Sequence, residues 1–306
     1  MLTFDAEVFR QIVGEENVWL NEPLSKHTTY KIGGPADVMV QPRSVEQVVS
    51  VIRACNQMDV PFFVMGNGSN LLVRDGGVRG VVLNIASAMS DVAVDGNRIT
   101  AGAGALLGHI VKCALEAALS GLEFASGIPG SFGGAAAMNA GAYGGDMKSI
   151  LQSVTAIDRD GNPVILKGEE LDMGYRKSAL RSRGLIMIEG ELELTPAPKE
   201  QIREKMEELG AKRRRMQPLW LPSCGSVFKR PEGHFIGKLI EEAGLKGTQV
   251  GGAQVSTLHA NFIVNLGGAT AKNVLDLIEV VKRRVLEHSG IAIETEVIVI
   301  GEDGSV

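Results

Sequence analysis

Two glycine-rich segments give this sequence its clearest capacity to bind a ligand through the backbone. The chain holds 38 glycines among 306 residues, whereas average usage of about 7% would give roughly 21. Five of them lie in residues 66–80, and eight lie in residues 121–145. A glycine excess without a repeating period is typical of loops with positive φ or of backbone that approaches a ligand closely. These two segments are therefore the first candidates for a binding site.

The first segment, residues 66–70, reads Gly-Asn-Gly-Ser-Asn and follows a buried strand predicted at 61–65. Side chains this small let several backbone N–H groups converge on an anion, and Ser69 and Asn70 add side-chain donors. The dinucleotide fingerprint of a Rossmann fold is not fulfilled, because Leu71 stands where its third glycine belongs and strand-like residues follow instead of a helix. The segment therefore predicts an anion site outside that fold.

The second segment, residues 127–144, carries almost no side-chain bulk. One interpretation is a tightly packed Gly/Ala helix with loops at both ends. The other is backbone laid against a large flat ligand. The presence of the first segment favours the ligand interpretation.

Three polar residues in small-residue or apolar surroundings could do acid–base or electrostatic chemistry. Arg176 follows a glycine by two positions, Ser226 lies in a stretch of small residues, and Glu296 lies within an apolar strand predicted at 293–300. Each also has a purely structural interpretation: a helix-capping arginine, a turn hydroxyl and a solvent-facing carboxylate. Five histidines without metal-ligand spacing and three scattered cysteines predict no metal site and no disulfide framework.

The elements that must position these residues alternate between strands and helices. Helices are predicted at 45–58, with Ser44 as N-cap, and at 106–119, 199–216, 236–243 and 271–288. Strands are predicted at 38–41, 61–65, 71–73, 80–84, 92–94, 98–101, 154–157, 164–166, 185–194, 226–228, 261–265 and 293–300. Pro218 and Pro222 indicate a domain boundary after the charged helix at 199–216. The basic run at its end, residues 212–215, is interpreted as cations at a helix C-terminus rather than as a nucleic-acid patch.

The charge balance limits the classes of partner. Lys and Arg number 31 and Asp and Glu number 36, a formal net charge of −5, so no basic surface is expected to attract nucleic acid or an anionic membrane. The amino terminus has no signal-peptide pattern, and no apolar run approaches about 18 residues. We expect a cytoplasmic protein that is a monomer or a weak oligomer.

In combination, the two glycine segments and the polar residues around Arg176, Ser226 and Glu296 carry a family resemblance. The sequence resembles the UDP-N-acetylenolpyruvoylglucosamine reductase family over nearly its full length. The matching motifs are HTTYKIGG at 27–34, GNGSNLL at 66–72, GIPGSFGG at 127–134, NAGAYG at 139–144, YRKS at 175–178, GSVFK at 225–229 and ETEV at 294–297.

The resemblance implies an α+β fold with a two-lobed FAD-binding domain of the vanillyl-alcohol oxidase/PCMH type and a C-terminal α/β substrate-binding domain. The expected parts are FAD-binding lobes at 1–90 and 91–217, a substrate domain at 218–295, and a strand at 296–306 returning toward the FAD-binding part. The first glycine segment would hold the FAD pyrophosphate and the second would lie along the flavin. The cofactor-binding residues implied are Gly66, Asn67, Gly68, Ser69, Asn70, Gly127, Ile128, Gly130, Gly133, Gly134, Asn139 and Gly141. The nucleotide-sugar contacts implied are Tyr175, Lys229, Arg230 and His259.

The reaction implied is the reduction of UDP-N-acetylglucosamine enolpyruvate, an enolpyruvyl ether, to the lactyl ether UDP-N-acetylmuramate in peptidoglycan precursor synthesis. NADPH would reduce FAD, and reduced flavin N5 would give a hydride to C3 of the substrate. Arg176 and Glu296 would stabilise the charge that develops on the substrate carboxylate, and Ser226 would be the general acid that protonates C2. The chain looks like the shorter type of the family, because residues 194–199 cannot supply the inserted tyrosine-bearing loop of the longer type. Ile298 stands where many relatives carry a basic residue.

Two other functions stay open at this point. A flavin oxidase of the same cofactor fold acting on a hydroxy acid often tethers its flavin through histidine or cysteine, and neither glycine segment contains a histidine. A non-enzymatic flavin- or nucleotide-binding regulator would be expected to lack Arg176, Ser226 or Glu296.

Overall fold

The computed structural model describes residues 4–86 and 89–304. The first three residues of the predicted 1–90 lobe and the last two of the predicted 296–306 strand lie outside the described residues. Within the described part, the α-helices are α1 Glu7–Val13, α2 Val45–Gln57, α3 Leu107–Glu116, α4 Phe132–Ala137, α5 Ala179–Ser182, α6 Lys199–Met216, α7 Ile236–Glu242 and α8 Ala271–Ser289.

The strands are short and numerous. They are β1 Val18–Pro23, β2 Pro35–Val40, β3 Phe62–Met65, β4 Leu71–Val73, β5 Val78–Asn84, β6 Val92–Asp95, β7 Arg98–Gly102, β8 Leu119–Ser120, β9 Gly141–Ala142, β10 Gly145–Asp146, β11 Leu151–Ile157, β12 Pro163–Lys167, β13 Ile186–Glu193, β14 Thr195–Pro196, β15 Gln249–Val250, β16 Ala253–Val255, β17 Ile263–Asn265 and β18 Ile298–Ile300.

The chain forms two compact units, neither of which is a continuous stretch of sequence. The first unit comprises Met1–Leu20, Val38–Asn67 and Gly80–Arg213, and the second comprises Asn21–Asp37, Gly68–Arg79 and Arg214–Val306. Each unit has its own hydrophobic core. The further division into parts at residues 90, 217 and 295 stays a prediction.

The first unit is built around a five-stranded antiparallel sheet in the order β12-β11-β13-β7-β6. In β13, residues 188–193 alternate between buried and more exposed positions, which is the period of two that a half-buried strand requires. Another sheet has the order β1-β2-β5-β3, in which β3 and β5 run parallel. Helix α2 begins as predicted, because the Ser44 hydroxyl accepts the backbone N–H of Gln47 at 3.3 Å. Helix α3 ends earlier than predicted, at Glu116, because Ala118 adopts a left-handed conformation with φ 57°.

The second unit is organised by helix α8, whose apolar face lies in the second core. The first N–H groups of this helix are all satisfied by side chains from outside it. Asp75 accepts the N–H groups of Ala271 and Lys272 at 2.7 and 2.9 Å, and the Thr270 hydroxyl accepts that of Asn273 at 3.1 Å. A three-stranded sheet β15-β16-β17 and the parallel pair of β4 with β18 complete this unit.

Two predicted strands of the second unit are wrong in extent. Residues 226–228 form isolated bridges, Ser226 with Phe262 and Phe228 with Thr295, and not a strand. The strand predicted at 293–300 is regular only from Ile298. The reason is that neighbouring residues of each segment pair with different partners, so no continuous ladder forms. In the described residues, no helix is both long enough and apolar enough to cross a membrane.

Candidate active site

Gly66 and Asn67, at the start of the first glycine segment, lie beside the second glycine segment within the first unit. The Asn67 side chain donates to the Pro129 carbonyl at 2.5 Å, which joins the first segment to the second. Gly66 faces Ser131 so closely that a Cβ on Gly66 would lie well inside 3.0 Å of the Ser131 Oγ, a separation that real Cβ atoms essentially never show. The backbone at Gly66 is thus packed directly against the Ser131 side chain of the second segment.

The loop at residues 103–105 packs against the second glycine segment at the start of α4. The backbone N–H groups of Phe132 and Gly133 donate to the carbonyls of Ala105 and Ala103, each at 2.8 Å. A Cβ on Gly133 would lie 2.9 Å from the Cβ of Ala103. The small residues of 131–137 are therefore required by close packing at the start of α4. The helix interpretation of this segment is confirmed, because a short Gly/Ala helix, α4, lies within it. The ligand interpretation stays a prediction.

Arg176 occupies a strained position in a tight turn. Gly174 and Lys177 exchange backbone hydrogen bonds at 3.0 and 3.1 Å, so Tyr175 and Arg176 are the two central residues of the turn. Arg176 has φ 56°, in the region that such turns normally fill with glycine or asparagine. A non-glycine residue held there costs about 1–3 kcal/mol. Arg176 is thus not a helix-capping residue.

Asn139 holds this turn in place. Its side-chain amide donates to the Gly174 carbonyl at 3.0 Å and to Asp146 at 3.2 Å, and its carbonyl oxygen accepts the Lys148 N–H at 2.8 Å. Arg176 in turn donates to the Asn139 backbone carbonyl at 3.4 Å. The side chain of Asn139 is thus engaged within the protein, and its predicted contact with the cofactor stays a prediction.

Ser226 and Glu296 come together in the second unit. The Glu296 N–H donates to the Val227 carbonyl at 2.7 Å, so the backbone of Glu296 lies beside the residue that follows Ser226. The Asn70 side chain donates to the Glu296 carbonyl at 3.4 Å, and the Ile298 N–H donates to the Asn70 carbonyl at 3.0 Å. Three parts of the second unit are therefore neighbours: Asn70 at the end of the first glycine segment, residues 226–228 (the serine segment), and Glu296. Both Ser226 and Glu296 are half-buried.

Cys224, two residues before Ser226, has its side chain in the hydrophobic core of the second unit. Burial raises the pKa of its thiol to about 12, with the nearby charge of Glu296 adding to the shift. Tyr30, which lies in the same core, is also buried, and its pKa is raised well above the usual value by burial and by Cys224. Both groups stay neutral at physiological pH, which keeps the surroundings of the serine segment apolar.

The residues predicted to contact the nucleotide sugar are divided between the units. Tyr175 is in the first unit and 58% exposed. The other three are in the second unit. There, Lys229 pairs with Glu294 at 2.8 Å and lowers the pKa of that carboxylate, while the Arg230 guanidinium lies 4.2 Å from the centre of the Phe235 ring. The cationic side chains of Lys229 and Arg230 are suited to a phosphate-bearing ligand.

His259 is a neutral acceptor in this structure. Its ring packs edge-on against Phe262 at 4.8 Å, and its Nδ1 atom accepts the N–H of Asn261 at 3.3 Å. Burial lowers the pKa of this histidine, and the charge of Lys246 lowers it further. A neutral ring that accepts at Nδ1 carries its proton at Nε2, so it offers one donor to a ligand.

Arg213 was missed by the sequence reasoning, which treated the run 212–215 as a solvated helix end. Its side chain is buried, unlike those of its neighbours in the run, and its guanidinium lies 5.6 Å from the centre of the Tyr143 ring. A Cβ on Gly127 would lie 3.0 Å from the Arg213 Cδ. Burial lowers the pKa of Arg213. The available signal was the helical period, because Arg213 follows the buried residues Ile202 and Leu209 on one face of α6.

Comparisons with known proteins agree with this arrangement. A family model described as "FAD binding domain" matches residues 36–167, and one described as "UDP-N-acetylenolpyruvoylglucosamine reductase, C-terminal domain" matches residues 217–300. A UDP-N-acetylenolpyruvoylglucosamine reductase of Clostridium botulinum is 48% identical over 297 residues, which are 97% of each chain. The chain belongs to the UDP-N-acetylenolpyruvoylglucosamine reductase family.

Other members of the family extend the comparison. The reductase of Syntrophomonas wolfei is 47% identical over 97% of this chain and 99% of its own. Among solved structures, the family member from Thermus caldophilus has a TM-score of 0.78 and 40% identity, covering 92% of this chain and 97% of that one. An alkyldihydroxyacetonephosphate synthase is similar in fold alone, with a TM-score of 0.51 and 17% identity over 64% of this chain and 42% of that one. The predicted fold class, an FAD-binding part with a C-terminal family domain, is confirmed.

The residues of the glycine segments fit an FAD. Residues 66–70 are only glycine, asparagine and serine, so the backbone N–H groups that a pyrophosphate needs are left uncovered by bulky side chains. The packing of Gly66 on Ser131 and of Gly133 on Ala103 fixes the path of that backbone. The predicted FAD is confirmed by the match to the FAD-binding family model. The individual residues that contact the cofactor stay predictions.

Proposed function

We propose that this chain catalyses the NADPH-dependent, FAD-mediated reduction of UDP-N-acetylglucosamine enolpyruvate to UDP-N-acetylmuramate, a step of peptidoglycan precursor synthesis, and that Arg176, Ser226 and Glu296 carry it. The observation that carries the proposal is the joining of the two glycine segments through Asn67 and Pro129 in a chain 48% identical to a reductase of this name. The strained turn at Arg176 and the pairing of the Ser226 and Glu296 segments support the assignment of roles.

FAD, when bound, supplies the hydride that it takes from NADPH and delivers to C3 of the enolpyruvyl group. Residues 66–70 would hold its pyrophosphate through backbone N–H groups. Residues 127–134, with Asn139 and Gly141, would lie along its ring system. Their lack of bulk and their close packing support this division.

Arg176 stabilises the negative charge that moves onto the substrate carboxylate as C3 gains a hydride. Its turn is closed by two backbone hydrogen bonds and braced by Asn139, so the backbone that carries Arg176 is held before the substrate arrives, and the guanidinium donates to the Asn139 carbonyl at 3.4 Å. A preorganised donor aimed at developing charge lowers a barrier by about 3 kcal/mol, or roughly a hundredfold in rate. Lysine would carry the charge but not the planar donor geometry.

Ser226 donates the proton that C2 of the substrate must receive. A serine hydroxyl is a weak acid, so it acts only if it is held close to C2 and its conjugate base is supported. We assign that support to the carboxyl group of Glu296, whose backbone N–H donates to the Val227 carbonyl. Tyr175, Lys229, Arg230 and His259 would bind the nucleotide sugar, with the cations on its phosphates.

The test is a pair of half-reactions followed in the visible absorbance of the bound flavin. NADPH should bleach the flavin, and the UDP-sugar enolpyruvate should restore its colour, whereas a simple hydroxy acid should not bleach the oxidised flavin in place of NADPH. The variant Ser226→Ala should be reduced by NADPH at the unaltered rate but reoxidised slower by orders of magnitude. Equal rates for variant and unaltered protein in both half-reactions would remove Ser226 from the role.

The remaining assignments follow from the same proposal. We place the enzyme in the cytoplasm, where its nucleotide-linked substrates occur, as a monomer or weak oligomer without nucleic-acid or membrane partners. We also keep the division into two FAD-binding lobes, a substrate domain from about residue 218 and a C-terminal strand. Sedimentation over a range of protein concentrations tests the oligomeric state.

A further inference from the structure

We infer that Asn261 is a positioning residue that holds the Ser226 segment in place through its side-chain amide. The inference rests on the function proposed above, because it concerns the general acid of that reaction. Asn261 is buried, with 4% of its surface exposed, and it belongs to the same unit as Ser226.

The side-chain amide of Asn261 forms hydrogen bonds with both backbone polar groups of Phe228, a residue of the serine segment. Its oxygen accepts the Phe228 N–H at 3.0 Å, and its nitrogen donates to the Phe228 carbonyl at 2.9 Å. The backbone carbonyl of Asn261 also accepts the Val227 N–H at 2.9 Å. The side chain therefore replaces the neighbouring strand that residues 226–228 lack.

The other side of the segment is held by the strand-like residues before β18. Glu296 donates its N–H to the Val227 carbonyl at 2.7 Å, and the Lys229 N–H donates to the Glu294 carbonyl at 2.9 Å. The segment that begins at Ser226 is thus hydrogen-bonded to Asn261 on one side and to Glu294 and Glu296 on the other. Removal of the amide would leave the buried N–H and carbonyl of Phe228 without these partners, so the segment would shift to satisfy them.

A shift of the segment matters to the proton transfer more than to binding. A weak acid such as a serine hydroxyl must lie within hydrogen-bond reach of the atom that it protonates. A misplacement of about 1 Å costs roughly a hundredfold in rate. Of the proposed nucleotide-sugar contacts, Tyr175 and His259 do not pass through the Asn261 amide, and Lys229 is held separately by Glu294 through its N–H and its side chain. Substrate affinity should therefore change less than the rate of proton transfer.

The experiment compares the FAD-loaded unaltered protein with Asn261→Ala, Asn261→Leu, Ser226→Ala and the Ser226→Ala/Asn261→Ala double variant. Asn261→Leu keeps the volume of the side chain and loses both hydrogen bonds. Asn265→Ala is the matched control, since Asn265 is also buried in this unit but bonds to Tyr30, Gly267 and Ala269 instead of the serine segment. Each protein is measured for flavin reduction by NADPH, flavin reoxidation by the enolpyruvyl substrate, and substrate affinity from the perturbed flavin spectrum.

We expect both Asn261 variants to be reoxidised roughly ten- to a hundredfold slower, with flavin reduction and substrate affinity within about threefold of the unaltered protein. A solvent deuterium isotope effect on reoxidation should increase, because proton transfer becomes slower. In the Ser226→Ala background, the Asn261→Ala change should add less than about twofold, since residues that act as a unit are not additive. Asn265→Ala should be reoxidised at the unaltered rate.

Other outcomes overturn the inference, and they distinguish it from the proposed function. If Ser226→Ala is slow but the Asn261 variants are not, or if their effects multiply, Asn261 does not act through Ser226. If reduction and reoxidation fall together, the role is structural only. If Ser226→Ala itself is reoxidised at the unaltered rate, the assignment of the general acid is wrong and the inference fails with it. Should Asn261→Ala not fold, Asn261→Ser, whose hydroxyl can keep one of the two bonds, is expected to give the same split with a smaller factor.

Discussion

Replacement of Gly68 by alanine is expected to weaken FAD binding, because the first glycine segment has no room for a Cβ there. Gly68 has φ 61°, and a Cβ built on it would lie well inside 3.0 Å of the His27 backbone carbonyl oxygen. That oxygen is part of the main chain and cannot rotate away as a flexible side chain would. The loop must therefore move by roughly half an ångström or more to admit the methyl group.

The magnitude has two parts, of which only one concerns the cofactor. A left-handed conformation costs an alanine about 1–2 kcal/mol wherever it occurs. Displacement of the loop adds the loss of backbone hydrogen bonds to the pyrophosphate, each worth about 1.5–3 kcal/mol when the acceptor is charged. Loss of one such bond would weaken FAD binding roughly ten- to a hundredfold.

Gly96→Ala is the matched control for this comparison. Gly96 has φ 57° and no heavy atom within 4 Å of its built Cβ, and it lies in the turn between β6 and β7. Both variants bear the conformational cost, but only Gly68→Ala should lose FAD when apoprotein is titrated with the cofactor and flavin absorbance is followed. Equal affinities for the two variants would refute the assignment of residues 66–70 to the pyrophosphate.

Three further predictions concern stability and reactivity. Asp75→Ala should lower the free energy of unfolding by about 2 kcal/mol in a denaturant titration, because two N–H groups of α8 lose a charged acceptor; an unchanged midpoint would show that water replaces the carboxylate. The half-buried His259 has a lowered pKa, so the unfolded chain binds more protons and stability should fall as pH drops through the ordinary histidine pKa of about 6.5. His259→Gln should show a weaker fall over that range, and identical pH profiles would contradict the prediction. A thiol reagent at mild pH should modify only Cys113 in the folded protein, because Cys55 and Cys224 are buried with pKa values of about 12. All three cysteines should react after denaturation. Fast labelling of all three thiols in the folded protein would be inconsistent with the structure.

Local pattern was enough to place most of the elements. The Ser44 cap, the helix at 199–216 and the strand at 71–73 are found where the sequence predicts them. Their signals are capping chemistry and a repeating period of apolar residues, both of which depend on neighbours within a few positions. The segment at 226–228 was mispredicted as a strand for the same reason, since its residues have strand-like types but its partners lie 33 or more residues away.

The sequence by itself determined the chemistry available to this protein. Its short motifs contain the small residues, the arginine, the serine and the carboxylate that the reaction needs, and they identified the family. Only the tertiary structure decided how these residues are held. It joined Asn67 to Pro129, buried Arg213 beside Gly127, and placed the Asn261 amide on the backbone of Phe228. Such contacts depend on the path of the whole chain, because a hydrogen bond between distant residues leaves no period in the sequence around either of them.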